Sequence, residues 1–149
     1  MLSPLDQILE EYGQFFENYG LPRIVGRVYG LLLTTDEPAV GLEALSDRLR
    51  ISRASASTAV RQLHAARMID KVTLPGDRRD YYRVAPDAHA RYLRSGLEQM
   101  LRLSDLVRRA RQLPELGPQA REKLARIEGL YDDLARTLEA FFAAHEAGR

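Results

Sequence analysis

The 149 residues include no cysteine and no tryptophan. Without thiols the chain cannot form disulfides, thiolate zinc sites, iron–sulfur clusters or a cysteine nucleophile. No apolar run approaches the roughly 20 residues of a membrane-spanning helix. The start, MLSPLDQILEEYG, has no early positive charge leading into an apolar stretch, as a secretory signal would. The expectation is a cytoplasmic protein with no membrane partner. Catalytic signatures are also missing. The three histidines, His64, His89 and His145, are not spaced as zinc ligands, and no GxSxG, Walker or dinucleotide glycine motif occurs. The chain is therefore expected to be no enzyme, with no cofactor and no metal. Its composition is 45% hydrophobic and 29% charged, a balance that builds a core in one domain of ordinary size.

The formal net charge of +1 is unevenly spread. Residues 1–39 carry two Arg against six acidic groups, and residues 86–149 carry eleven Lys/Arg against ten. Residues 40–85 carry nine Lys/Arg against five, an excess of +4. A polyanion partner would meet that middle segment first.

The two ends read as helices. Leu5, Ile8, Tyr12, Phe15 and Tyr19 are spaced by threes and fours, with Leu9 and Phe16 widening the stripe. Ser3-Pro4 opens this helix, and Gly20 and Pro22 close it. Residues 87–113 form a second helix, and Pro114, Gly117 and Pro118 punctuate a turn. Residues 118–146 then carry a heptad-like seam at Ala120, Leu124, Ile127, Tyr131, Leu134, Leu138, Phe141 and His145. Such a helix is about 42 Å long, beyond the reach of a small domain with a radius of gyration of about 15 Å. Its stripe, ending in Phe141 and Phe142, needs cover from a second copy, so the terminal helices predict a homodimer. The alternative is a monomeric bundle that covers its own stripe.

The middle reads as a winged helix-turn-helix. Residues 21–35 carry an apolar face at Ile24, Val25, Val28, Leu31 and Leu32. The Gly26/Gly30 spacing marks close helix packing. A short helix over 42–49 follows, and after Arg50-Ile51 a second starts at Ser52, an N-cap residue. Ala56, Val60 and Leu63 face inward, while Arg53, Ser55, Ser57, Thr58, Arg61 and Gln62 lie outward. No acidic residue occurs from Arg53 to Arg67. Small hydroxyls let a helix approach the floor of a major groove, and Arg can grip a guanine edge or a phosphate. The alternative is a Ser/Ala-rich helix packed on a protein. His64, near the helix end, could touch phosphate or help neutralise the helix end, and His89 has no evident partner. Residues 69–85 then predict a β-hairpin, with Ile69, Val72 and Leu74 on one strand and Tyr81, Tyr82, Val84 and Ala85 on the other. Its tip, Pro75-Gly76-Asp77-Arg78-Arg79-Asp80, carries arginines that suit a minor groove, with Asp77 and Asp80 available to orient them. The other reading is a solvated turn with local ion pairs.

This order of elements resembles the MarR family of bacterial transcription regulators. GLPRIVGRVYGLLL, ISRASASTAVRQL and GDRRDYYRV resemble its GbsR-like subgroup, most clearly over residues 20–85. Ala56 and Val60 are smaller than that pattern favours, and the terminal helices match it in architecture only. The resemblance implies a mainly α fold with a small β-hairpin. Residues 1–20 would form a dimerisation helix, 21–85 the DNA-binding region and 86–149 a dimerisation hairpin. It also implies a homodimeric repressor bound to a pseudo-palindromic operator in double-stranded DNA, its recognition helices in successive major grooves. Ser52, Arg53, Ser55, Ser57, Thr58, Arg61, Gln62, Arg78 and Arg79 would face DNA. Arg79 would enter the minor groove, with Asp77 as its support. GbsR-like regulators are associated with choline-type ligands, and aromatic rings attract quaternary ammonium groups. That makes Tyr12, Phe15, Phe16, Tyr19 and Tyr29 a candidate effector pocket, though aromatics at helical spacing also serve as core. The competing function is a helical homodimer that binds protein, or DNA without operator specificity.

Overall fold

The computed structural model describes residues 1–147. They form six helices, α1 (Pro4–Asn18), α2 (Arg23–Thr34), α3 (Leu42–Leu49), α4 (Arg53–Ala65), α5 (Ala88–Arg111) and α6 (Pro118–Ala147), and three strands, β1 (Val40–Gly41), β2 (Ile69–Thr73) and β3 (Asp80–Val84). The mainly helical, winged architecture is the expected one. The described residues form two compact units, Met1–His89 and a second from Ala90 onward. None of their helices is long and apolar enough to cross a membrane.

The sheet is antiparallel in the order β1-β3-β2. It therefore has one strand more than the expected hairpin. Residues 40–41 are too short to show alternation in sequence, yet they pair with Tyr81 and Tyr82. The hairpin itself pairs Ile69 with Val84 and Thr73 with Asp80.

In the first unit, α1 opens with a full capping box. Asp6 N donates to Ser3 Oγ and Ser3 N to Asp6 Oδ2, each at 3.1 Å. The α1–α2 contact is close because glycine lines it. A Cβ on Gly26 would sit 2.8 Å from the Tyr12 carbonyl carbon and 2.9 Å from Gly13 Cα, and one on Gly30 would meet the Tyr12 ring at 2.8 Å. Val25, Val28, Leu31 and Leu32 of α2, Leu45 and Leu49 of α3, and Ala56, Ala59, Val60 and Leu63 of α4 join Ile69 and Tyr82 in one core. The small Ala56 and Val60 are completely buried there, where little room is left for the bulkier groups of the GbsR-like pattern.

The stripe on α1 divides. Leu9, Gly13 and Phe16 are buried in their own unit, whereas Leu5, Ile8, Phe15 and Tyr19 are exposed, Tyr19 to 64%. The second unit behaves alike. Leu97 of α5 packs with Ala135 and Phe142 of α6, and the Arg94 guanidinium lies 4.6 Å from the Phe142 ring centroid. Phe142 is thus covered inside the hairpin, contrary to expectation, because the packed face of α6 keeps Leu138 of the heptad positions but takes Ala135 and Phe142 in place of Leu134 and Phe141. Leu134 and Phe141, which are seam positions, stay 44% and 52% exposed. Arg121 locks the turn by donating to the carbonyls of Arg111, Leu113 and Leu116 at 2.9, 2.7 and 3.0 Å, the first of them an orphan acceptor at the end of α5. Glu128, the buried acid of this unit, pairs with Arg108 at 3.1 Å and Arg111 at 2.8 Å.

Candidate nucleic-acid interface

The turn between α3 and α4 sets the direction of α4. Arg50 is left-handed, at φ +53°. Its N–H donates to Asp47 O at 3.2 Å, Ile51 N donates to Ser46 O at 3.0 Å, and Ser46 Oγ donates to Ile51 O at 2.7 Å. Ser52 then caps α4 by accepting from Ser55 N at 3.0 Å, and the two hydroxyls are 2.8 Å apart. Ser52 and Ser55 thus have local partners.

Beyond the cap, Arg53, Thr58, Arg61 and Gln62 are exposed, and Ser55 and Ser57 are half-buried at the flank. Arg61 Nη2 donates to Thr58 Oγ1 at 3.2 Å. Ala54 and Ala65, which sequence reasoning passed over, are exposed with them. Their helical spacing relative to Thr58 and Arg61 would have marked them. With only methyl groups there, the backbone of this face can approach a flat or grooved partner. His64 Nδ1 lies 3.2 Å from Ile69 O, so one ring nitrogen is engaged with the chain itself. His89 has a partner that sequence reasoning did not find: its Nε2 is 3.2 Å from Tyr29 Oη.

The wing begins with a tight turn. Asp77 N donates to Leu74 O at 3.1 Å, and Gly76, at φ +78°, holds the position where type II turns need glycine after proline. Asp77 is the hub of the tip. It accepts Arg79 N at 2.9 Å, Arg79 Nη2 at 2.6 Å and Tyr81 Oη at 2.7 Å. Both of its oxygens also face Arg79 Nε, at 3.1 and 3.0 Å. The Arg79 hydrogen bonds, and then that of Tyr81, hold the Asp77 carboxyl well below the usual carboxylate range. The carboxylate in turn pushes the Arg79 guanidinium up. A depressed carboxylate stabilises the fold above its ordinary pKa and loses that contribution as pH falls through its own range. The tip therefore keeps this arrangement at neutral and mildly acidic pH. The Arg79 side chain is oriented yet still 70% exposed, and Arg78 beside it is exposed. Tyr81 is the member of this cluster that the sequence reading missed. Positions 77, 79 and 81 share the period of a strand face, which was the available signal. Asp80 pairs instead with Lys71, at 3.2 Å.

A cleft of about 510 Å³ is lined by Arg53, Arg78 and Arg79 but also by Glu43 and Asp47 of α3. Uncompensated positive charge therefore lies along α4, whereas at the wing tip Arg78 and Arg79 are matched in number by Asp77 and Asp80.

The aromatic cluster does not surround one space. Tyr29 is 3% exposed, and its ring centroid is 5.6 Å from Phe16 and 6.3 Å from Tyr12. These rings fill the α1–α2 contact. Phe15 and Tyr19, 4.9 Å apart between centroids, lie on the exposed side of α1.

A model of the MarR family matches residues 19–80. The HTH-type transcriptional regulator MmpR5 of Mycobacterium tuberculosis is 33% identical over 125 residues, 83% of this chain and 76% of its own. The HTH-type transcriptional repressor OpcR of Bacillus subtilis is 27% identical over 97% of this chain and 86% of its own. Among solved structures, the crystal structure of a transcriptional regulator superposes with a TM-score of 0.73 at 28% identity, covering 97% of this chain and 99% of that one.

Proposed function

The chain belongs to the MarR family, and from that premise we propose that it is a homodimeric transcriptional repressor that reads a pseudo-palindromic site in double-stranded DNA. The family is one of regulators and not of enzymes. The observation that carries the reading is the pairing of two surfaces. One is the exposed face of α4, free of carboxylates from Arg53 to Arg67. The other is a wing whose Arg79 is held by Asp77 and still open to solvent. Phosphate contacts would position the protein, Arg53, Thr58, Arg61 and Gln62 would address the major groove, and Arg78 and Arg79 the minor groove. Ser52, Ser55 and Ser57 flank that surface, with Ser52 and Ser55 serving the cap as well. Residues 21–85 form the DNA-binding region in this reading.

Two copies are needed for two half-sites. The apolar residues left open on α1 and on the hairpin, among them Ile8, Phe15, Leu134 and Phe141, support dimerisation through residues 1–20 and 86–149. Light scattering tests this part. The chain should run as a dimer, and Phe141→Glu should shift it toward monomer, whereas a wild-type monomer at all concentrations would refute the reading.

The GbsR-like resemblance over residues 20–85 and a cytoplasmic setting belong to the same proposal. A quaternary ammonium effector, if bound, would meet Phe15 and Tyr19, since Phe16 and Tyr29 are spent in the core. Millimolar choline should then raise the melting temperature, and an unchanged melting temperature would remove that ligand from the proposal.

A further inference from the structure

One arginine outside the DNA-facing surface ties three elements together. Arg27 projects from α2 between α1 and α3. Its Nε lies 2.7 Å from Glu10 Oε1 of α1, with both side chains mostly shielded from solvent, 24% and 32% exposed. Its Nη2 donates to Leu49 O at 3.1 Å. Gly13 leaves room for the first turns of α2: a Cβ there would fall 2.6 Å from Arg23 Cγ and 3.1 Å from Arg27 Cγ. Leu49 is the last residue of α3, so its carbonyl has no acceptor role left within the helix, and a guanidinium suits both that orphan oxygen and the negative end of the helix. The following residues are the left-handed Arg50, then Ile51, then Ser52, the cap of α4. The contact therefore falls at the start of the turn that aims α4.

We infer that Arg27 is a positioning residue: it fastens the turn between α3 and α4 to α1 and so fixes the angle at which α4 meets DNA. The inference rests on the DNA-binding reading above. Arginine is needed for the geometry, since its planar fork reaches a carboxylate and a carbonyl at once, whereas a lysine reaches one of them. It also gives α1 a second task. The helix that exposes Ile8 and Phe15 for a partner copy holds, through Glu10, the residue that fixes the turn. Dimer formation and the setting of α4 then share one element.

The test uses the full-length protein and two short duplexes. One is a fragment recovered with the wild-type protein from genomic DNA, and the other is its scrambled counterpart. Arg27→Met should leave helicity and dimer mass unchanged and leave affinity for the scrambled duplex as it was. Preference for the recovered duplex should fall about tenfold, the equivalent of losing one charge-assisted hydrogen bond. Amide exchange over Ile51–Ser55 should accelerate, and Arg27→Lys should restore part of the preference. An unchanged preference overturns the inference. So does a parallel loss on both duplexes that tracks a loss of melting temperature, which is what a purely structural role would give. Should Arg27→Met not fold, Glu10→Gln takes its place. It keeps the cation but loosens its hold, so preference should drop, and an intact preference again overturns the inference. A wild-type protein with no preference between the duplexes would instead sink the DNA-binding reading itself.

Discussion

Replacing Gly26 by alanine puts a methyl group where the structure has none to spare. The new Cβ would stand 2.8 Å from the Tyr12 carbonyl carbon and 2.9 Å from Gly13 Cα, against about 3.5–4.0 Å for carbon atoms in comfortable contact. The obstacle is backbone, so no side chain can swing aside, and α1 must retreat by roughly 0.7 Å or more. That retreat loosens Leu9 and Phe16 in the core. Overpacking of this kind costs about 1–3 kcal/mol, and alanine regains about 1 kcal/mol over glycine within a helix. With backbone as the obstacle, the upper end applies and the net loss is about 2 kcal/mol. For a chain of this length the melting temperature should fall by about 4–8 °C. Gly129→Ala is the internal control. It is also within a helix, but its Cβ meets nothing within 4 Å, so the melting temperature should rise by about 2–4 °C. Both variants are followed by circular dichroism at one protein concentration, which keeps any dimer contribution fixed. A Gly26→Ala protein as stable as the wild type would refute the close α1–α2 contact.

Three further outcomes follow from the same geometry. Arg79→Ala should weaken binding to all duplexes and reduce the slope of log K against log salt by about one. An unchanged slope would remove Arg79 from the DNA. Arg61→Ala should cost about 1–3 kcal/mol on the recovered duplex if it reads a base, and an equal loss on random DNA would deny it that role. Burial pushes the Tyr29 hydroxyl up to about 12 from its ordinary 10.0. The folded chain therefore holds this proton more tightly, and its contribution is complete below pH 10 and lost as pH rises toward 12. The difference corresponds to at most about 2–3 kcal/mol. A pH series of melting curves should show Tyr29→Phe declining less steeply than wild type over that range, and parallel curves would contradict the burial argument.

The order of elements, the Ser52 cap and the wing turn were legible because each rests on local chemistry. A cap needs a hydroxyl, and a type II turn needs glycine after proline. What sequence could not give is the division of each apolar stripe. Periodicity marks Leu5, Ile8, Leu9, Phe15 and Phe16 alike as apolar, but whether a position meets its own core or remains open depends on where α2 crosses. The crossing is set by Gly13, Gly26 and Gly30, and only the Gly26/Gly30 spacing was visible. The same ambiguity on α6 put Leu134 and Phe141 on the seam where Ala135 and Phe142 pack on α5 beside Leu138, so Phe142 was expected to lack cover. Strand β1 was missed because two residues carry no period. Arg27 was missed because its partners lie 17 and 22 positions away, at Glu10 and Leu49. Tyr81 was read only as a strand residue, although its hydroxyl completes the Asp77 cluster.

The most direct test of the central claim is selection of fragments from the host's genomic DNA by the purified protein, followed by sequencing. A dimeric, sequence-specific regulator predicts a small set of fragments sharing an inverted repeat, with half-site centres one helical turn, about 34–36 Å, or a multiple of it apart. Recovery of fragments with no shared motif would contradict the claim and leave a helical dimer that binds protein, or DNA without operator specificity.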